Sequence, residues 1–401
     1  MGQKSRVKTS SDMPYMTKDL DKASEIAMFY GFKPIKSLHI NKEDLDKASV
    51  LREDKKHSGA KSEIFPRPEE KVSLFRNYLE ANSPSTKNPT MIYYRRPLAG
   101  LSERKPANEY HYGFDIIGSW SSICEAIALK TAHAILTDYG YKDLIVDINS
   151  MGDKDSGSRF ESELSSYIRK HIDSVPSDMR ATFRKNPFEA LFCEHESWVP
   201  LKERMPQPMS SLSESSINSF KETLEHLETL EIPYRVAHNL IGHRNYCSHT
   251  IFEIKSTNPE TNPIFAVGTR HNHLAKKIGF KKDVPVMSVN LRFKKPEVEP
   301  KLFPKSKLRP RFYFIQFGSK AKLKSLSVIE NLRQARIPVH HSLTHDQFVD
   351  QLSNAEKIGS PFLIIVGQKE ALENTAVVRH MATRVQETIA LKDLPHYLNN
   401  L

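Results

Sequence analysis

The chain has 401 residues, 38% of them hydrophobic and 27% charged, which is too long for one small core and too apolar for wholesale disorder, so two or three folded units are expected. A formal charge of +11 leans toward a polyanion such as nucleic acid, with a solvated basic surface as the plain alternative. Three cysteines (Cys124, Cys193, Cys247) exclude a disulfide framework and point to a reducing, cytoplasmic setting, and the absence of an apolar leader or of any stretch near ~18 apolar residues speaks against secretion and membrane insertion.

Residues 1–18 are polar and read as a flexible tail. Leu20, Ala23, Ile26, Ala27 and Tyr30 then recur at helical spacing and lead into Gly31 as a stop. Residues 52–63 (REDKKHSGAKSE) carry charge without apolar period and predict an exposed loop. Alternation in MIYYRR (91–96) and EYHYGFDIIG (109–118) predicts an antiparallel pair joined by a polar loop with a basic tip. A helix is expected from Ser122, with Ser122 and Glu125 spaced as a capping box, running to Gly140. DLIVDIN (143–149) reads as a strand by its β-branched content.

Residues 153–200 read as mostly helical, broken at Asn186-Pro187. Ile217, Phe220, Leu224, Leu227 and Leu230 form an apolar helical stripe that Pro233 ends. Further strands are expected within 233–240, 250–255, 264–268 and 284–293. Residues 294–310 combine prolines with many Lys and Arg and predict a basic linker. From 311 to 401 strands alternate with helices, which marks an α/β domain with a largely parallel sheet, closed by a hairpin and a short helix. Gln368-Lys369-Glu370 falls at a turn, and His340, His341 and His345 read as a solvated loop.

Several segments in this order resemble histidyl-tRNA synthetases, a class II aminoacyl-tRNA synthetase family. Arg67-Pro68-Glu69 resembles the family's Arg-Pro-Glu-Gly-Thr, with Glu70 and Lys71 in place of Gly and Thr. Arg95 or Arg96 stands where the second class II motif has its arginine. Tyr110-His111-Tyr112-Gly113-Phe114-Asp115-Ile116-Ile117-Gly118 resembles His-Gln-x-Gly-x-Glu-x-x-Gly, with His111 for the Gln and Asp115 for the Glu, and Ile148-Asn149-Ser150-Met151-Gly152 resembles Leu-Asn-Ser-Leu-Gly. Leu240 to Glu253 resembles Leu-Val-Arg-Gly-Leu-Asp-Tyr-Tyr-Asn-Arg-Thr-Val-Phe-Glu at its ends but not at its centre, where Gly242 replaces the arginine. Gly268 to Leu274 resembles Gly-Gly-Arg-Tyr-Asp-Gly-Leu with His271 for Tyr, and Val289-Asn290-Leu291-Arg292 stands in the place of Gly-Leu-Glu-Arg.

The resemblance implies an α+β class II catalytic-like domain over 19–293, an antiparallel sheet flanked by helices, followed by an anticodon-binding-like α/β domain over 311–401. It also implies a homodimer and tRNA or another RNA as partner. Substrate-binding positions would be Glu69, His111, Asp115, Tyr246 and His271, and ATP-phosphate positions Arg95, Arg96 and Arg292. ATP and magnesium are implied only if catalysis is retained. In the family the arginine at the position of Gly242 neutralises charge developing on the α-phosphate; losing such a donor costs on the order of hundredfold or more. Arg244, two residues on, is the candidate replacement.

Three functions stay open: a tRNA- or RNA-binding paralogue with impaired histidine activation, an active but divergent histidine-tRNA ligase, and a non-catalytic regulatory or histidine-sensing subunit. Cys193-x-His195 and His243-x-x-x-Cys247-x-His249 match no defended zinc spacing, and no resident metal is expected.

Overall fold

The computed structural model describes residues 20–35, 39–49, 51, 64, 67–81, 89–96, 108–243, 247–258, 263–297 and 310–401. The tail (1–18), the loops at 52–63 and 97–107, most of the linker, Arg244 and Tyr246 lie outside them.

Eight strands form the first sheet: β1 (Lys33–Pro34), β2 (Thr90–Arg95), β3 (Glu109–Ile117), β4 (Leu144–Ser150), β5 (Tyr234–Val236), β6 (Ser248–Ser256), β7 (Ile264–Arg270) and β8 (Val286–Lys294). Their spatial order is β1-β2-β3-β8-β7-β6-β4-β5. Every neighbouring pair is antiparallel except β1 with β2 and β4 with β5. This is the α+β sheet that the alternating segments predicted.

One face of the sheet is apolar because the period-2 pattern puts Tyr112, Phe114, Val289, Leu291, Phe252 and Ile148 on it. Helix Ile123–Asp138 packs on that face and is itself wrapped by helices Lys22–Phe29 and Glu214–Thr229, so it is buried nearly all round and carries Ala, Ile and Leu on every side. The predicted capping box at its start does not form. Ser122 has helical backbone angles, and its hydroxyl donates instead to Glu222 at 2.7 Å, while Glu125 is drawn inward by Arg270. In helix Glu214–Thr229 the stripe member Ile217 is 37% exposed, whereas Phe220 and Leu227 are buried. Helix Pro68–Ala81, which no reading of the sequence above anticipates, opens with proline and then Glu69 and Glu70, residues suited to a first helical turn.

The second sheet comprises β9 (Phe312–Gln316), β10 (Val339–His341), β11 (Phe362–Val366), β12 (Thr375–His380) and β13 (Gln386–Ala390), ordered β10-β9-β11-β12-β13. The first three are parallel and the hairpin β12/β13 is antiparallel, so the sheet is mixed rather than largely parallel. Gln368 to Glu370 opens a short helix, Gln368–Glu373, whose Glu370 carboxylate accepts from Gly367 N–H at 2.9 Å.

The two units share one continuous apolar cluster. At their seam Glu330 accepts from Arg333 Nε at 2.8 Å, from Lys130 Nζ at 3.3 Å and from the Tyr30 hydroxyl, and Arg333 reaches Asp138 at 2.9 Å. His340 and His341 are not in a solvated loop. They lie on β10, where His340 is buried and a His341 ring nitrogen stands 2.9 Å from the Phe29 carbonyl of the first unit. Among the described residues, no helix is long and apolar enough to cross a membrane.

Candidate active site

The pleat that sends Tyr112, Phe114 and Ile116 into the core sends His111, Gly113 and Asp115 to the opposite face of β3, as the alternation predicted. The register continues that face sideways. Asp115 lies beside Ser288 of β8 and Ile92 of β2, Gly113 beside Asn290 and Tyr94, and His111 beside Arg292; Thr269 of β7 follows Ser288. A polar strip thus crosses the sheet. Gly113 is required beneath it, because a Cβ there would sit 2.5 Å from the Tyr94 ring.

The same alternation separates the two neighbouring arginines. Arg95 lies opposite Tyr112, on the core side, where its guanidinium stacks at 4.5 Å from the centre of the Tyr110 ring and pairs with Asp21. It cannot share a phosphate with Arg292. Arg96 turns to the polar strip and is 8% exposed.

Helix Pro68–Ala81 closes over this strip and inserts two consecutive charged residues. Lys71 Nζ donates to Asp115 Oδ1 at 2.7 Å and to the Tyr94 hydroxyl at 3.3 Å, and both members of the Lys71–Asp115 pair are 0% exposed. Arg96 grips Glu70 through Nε at 3.1 Å and Nη2 at 2.7 Å. Ser288 adds a hydroxyl to Asp115, and Asn290 donates to the Ile64 carbonyl at 2.8 Å. The strip is therefore filled by two cation–carboxylate pairs made within the chain. Burial, then the charges of Asp115 and Glu70, push the Tyr94 phenol well above its ordinary range, so it stays a neutral hydroxyl beside them.

Of the residues named from sequence, Asp115, Arg96, His111 and Arg292 share the polar face. His111 and Arg292 stand at its far end, four residues along β3 or roughly 13 Å from Asp115. There a His111 ring nitrogen is 2.9 Å from Glu109, and Arg292 Nε donates to the Ile264 carbonyl at 3.2 Å. His271 is fully buried just past β7, with its ring 3.0 Å from the Thr269 hydroxyl. Glu69 is half-buried in the first helical turn, and it is its neighbour Glu70 that enters the site. Sequence reasoning also missed Lys71, Ser288 and Asn290. The one available signal was that charged residues, Glu70 and Lys71, stand where the resembled motif has Gly and Thr.

Among the described residues, those named for ATP phosphate are engaged elsewhere. The Arg96 fork is taken by Glu70, Arg292 gives its Nε to a backbone carbonyl, and Gly242 is buried with no side chain to offer. A Cβ at Gly242 would lie 2.5 Å from that of Cys247. Beside Gly242 a cleft of about 340 Å³ is lined by residues including Asp153, Lys154, Cys247, His273 and Lys277, a mixed set with no dominant charge. Cys193 packs in an apolar cluster with Trp198 and Phe183. Among the described residues, no group of three or more His, Cys, Asp or Glu side chains is placed to hold a metal ion.

Comparison with known proteins agrees with this architecture. The model of an anticodon binding domain matches residues 312–401. The histidine-tRNA ligase of Lysinibacillus sphaericus is 29% identical over 345 residues, covering 83% of this chain and 81% of that protein. The one from Staphylococcus carnosus is 25% identical over 404 residues, covering 94% and 92%. Among solved structures, apo histidyl-tRNA synthetase of S. aureus superposes with a TM-score of 0.51 at 21% identity, covering 93% of each chain, a likeness of fold.

Proposed function

Because the chain belongs to the histidyl-tRNA synthetase family, we propose that it is a tRNA- or RNA-binding paralogue in which histidine activation is impaired. The observation that carries the reading is the Lys71–Asp115 pair, 2.7 Å apart and wholly buried. Asp115 stands where the resembled motif has the glutamate that reads the substrate, and Lys71 brings to it an ammonium from within the chain. Lys71 and the Ser288 hydroxyl both take Asp115 Oδ1, so a substrate ammonium would meet only Oδ2, which carries no hydrogen bond, and would do so against the charge of Lys71 beside it. The Glu70–Arg96 pair supports the same conclusion for a phosphate, since a guanidinium clamped by a carboxylate offers no free fork.

RNA binding rests on the anticodon binding domain matched at 312–401 and on the overall charge of +11. A homodimer through the catalytic-like unit belongs to the same reading. An active histidine-tRNA ligase, dependent on ATP and magnesium, requires Lys71 and Glu70 to leave the strip. A histidine-sensing subunit meets the same obstacle at Asp115.

Histidine-dependent ATP–pyrophosphate exchange with the full chain tests the reading, alongside gel-shift titration with a tRNA transcript. Silence in the first and micromolar or tighter binding in the second are expected. Exchange above the buffer level would overturn the impaired-activation reading. Failure to bind any tRNA would remove the RNA partner.

A further inference from the structure

The Pro-rich segment leaves the sheet at a particular corner. The chain exits β8 through Lys294 and Lys295, both exposed, beside the start of β3, with Glu109 opposite Lys294 and Lys295 N–H bonded to the Asn108 carbonyl at 2.9 Å. The last residue of β2, Arg95, arrives at the same corner, and its guanidinium stacks on Tyr110 while its side chain remains 53% exposed. Lys295 Nζ lies over the same ring at 5.9 Å. Two of the cations thus share one tyrosine, and stacking together with the Asp21 salt bridge holds the Arg95 plane in one orientation. The acidic groups paired here are Asp21, 6% exposed beneath Arg95, and Glu109, which faces His111, and the exposed Glu297 follows two residues after Lys295.

Along the sequence, positive charge is dense in the segment that follows this exit. Residues 294–311 hold seven Lys or Arg against two Glu, whereas the domain at 312–401 holds ten against eight acidic residues. The anticodon-binding-like domain is therefore only weakly basic. An ordered guanidinium plane on a tyrosine, with the Lys295 ammonium beside it and the exposed Lys294 on the other face of the same edge, suits a phosphodiester chain with unpaired bases that crosses the edge: the lysines meet phosphates and the flat cation meets a base face.

We propose that the sheet edge formed by Arg95, Tyr110, Lys294 and Lys295 is an RNA-contact surface, with Arg95, Tyr110 and Lys295 on the side opposite the polar strip and Lys294 on the other face of the same edge. The inference rests on the RNA-binding reading above and adds where RNA runs. RNA held by the C-terminal domain continues over this corner, which supplies much of the salt-dependent affinity.

The test is a salt titration of tRNA binding by the full chain, comparing wild type, Lys294→Glu/Lys295→Glu, Lys281→Glu/Lys282→Glu and Lys320→Glu/Lys369→Glu. All the lysines changed are exposed, so each variant should fold, and each changes net charge equally. The 294/295 variant is expected to lose about tenfold or more in affinity and to flatten the slope of log K against log salt by between one and two, as when two phosphate contacts are lost. The 281/282 variant should bind like wild type. Unchanged affinity and slope in the 294/295 variant, or an equal loss in the 281/282 variant, overturns the inference while leaving RNA binding intact, as does a loss confined to 320/369. Absence of binding in the wild type would instead sink the reading on which it rests.

Discussion

Replacing Lys71 by methionine keeps the length of the side chain and deletes its charge, which leaves Asp115 wholly buried with the Ser288 hydroxyl and no cation. Removing one member of a buried ion pair costs roughly 3–5 kcal/mol. That is a large share of a typical stability of about 5–15 kcal/mol. The double variant Lys71→Met/Asp115→Leu removes both charges, and replacing a whole buried pair by apolar residues of similar volume is commonly neutral or favourable, so it should recover most of the loss. Urea unfolding of the full chain at pH 7 measures both. A cost below about 1 kcal/mol for the single variant, or a double variant no better than the single, would refute the claim that this pair neutralises a sealed site. The double variant should also remain silent in pyrophosphate exchange, because it restores no acceptor for a substrate ammonium.

At the seam between the two units, burial opposes ionisation of Glu330, but Arg333, Lys130 and Tyr30 outweigh it and hold the carboxyl down to about 2. Glu330→Gln should cost roughly 3 kcal/mol and speed amide exchange in helices Ile123–Asp138 and Ser319–Gln334, measured by hydrogen exchange at pH 7; unchanged exchange in both would count against a seam held by this carboxylate. Burial, the largest cause in each case, lowers His133, His226 and His341 to about 4. Their unfolded forms bind protons first, so stability should be level above about pH 7, fall as pH drops from ~6.5 toward 4, and then fall further through ~4.5 to 2 as Glu330 protonates; equal urea midpoints at pH 7.5 and 5 would contradict this. Gly242→Arg should lower the thermal midpoint by several degrees and leave pyrophosphate exchange silent, because a Cβ at 2.5 Å from Cys247 forces the backbone to move before a guanidinium can be aimed. A stable, exchange-competent Gly242→Arg protein would show that the missing arginine alone disables the site.

The alternation of EYHYGFDII and the all-round apolar character of residues 123–136 are local properties of the chain, set by which residue types suit a pleated or a helical backbone, and they sufficed to place strands and helices. They also sufficed to put His111 and Asp115 on one face, since period 2 needs no knowledge of neighbours. Local spelling failed where a residue had two possible partners. Ser122 and Glu125 spell a cap, but Glu222 and Arg270, distant along the chain, compete for them and prevail because a buried charge gains more from a charged partner than from a backbone N–H. The choice between Arg95 and Arg96 required knowing which side of β2 meets the core. His341 looked solvated because nothing in its own segment reveals that the end of helix Lys22–Phe29 lies against it.

What the sequence by itself determined is the order and type of elements, the family plan and the concentration of positive charge around residue 300, all of which follow from composition and short-range period. Only the tertiary structure decided that Lys71 meets Asp115 across 44 residues and that Glu70, rather than Glu69, meets Arg96. Helix Pro68–Ala81 crosses the sheet at a distance and rotation set by packing Val72 and Phe75 against Ile92 and Ile117, and no pattern within either segment encodes that rotation.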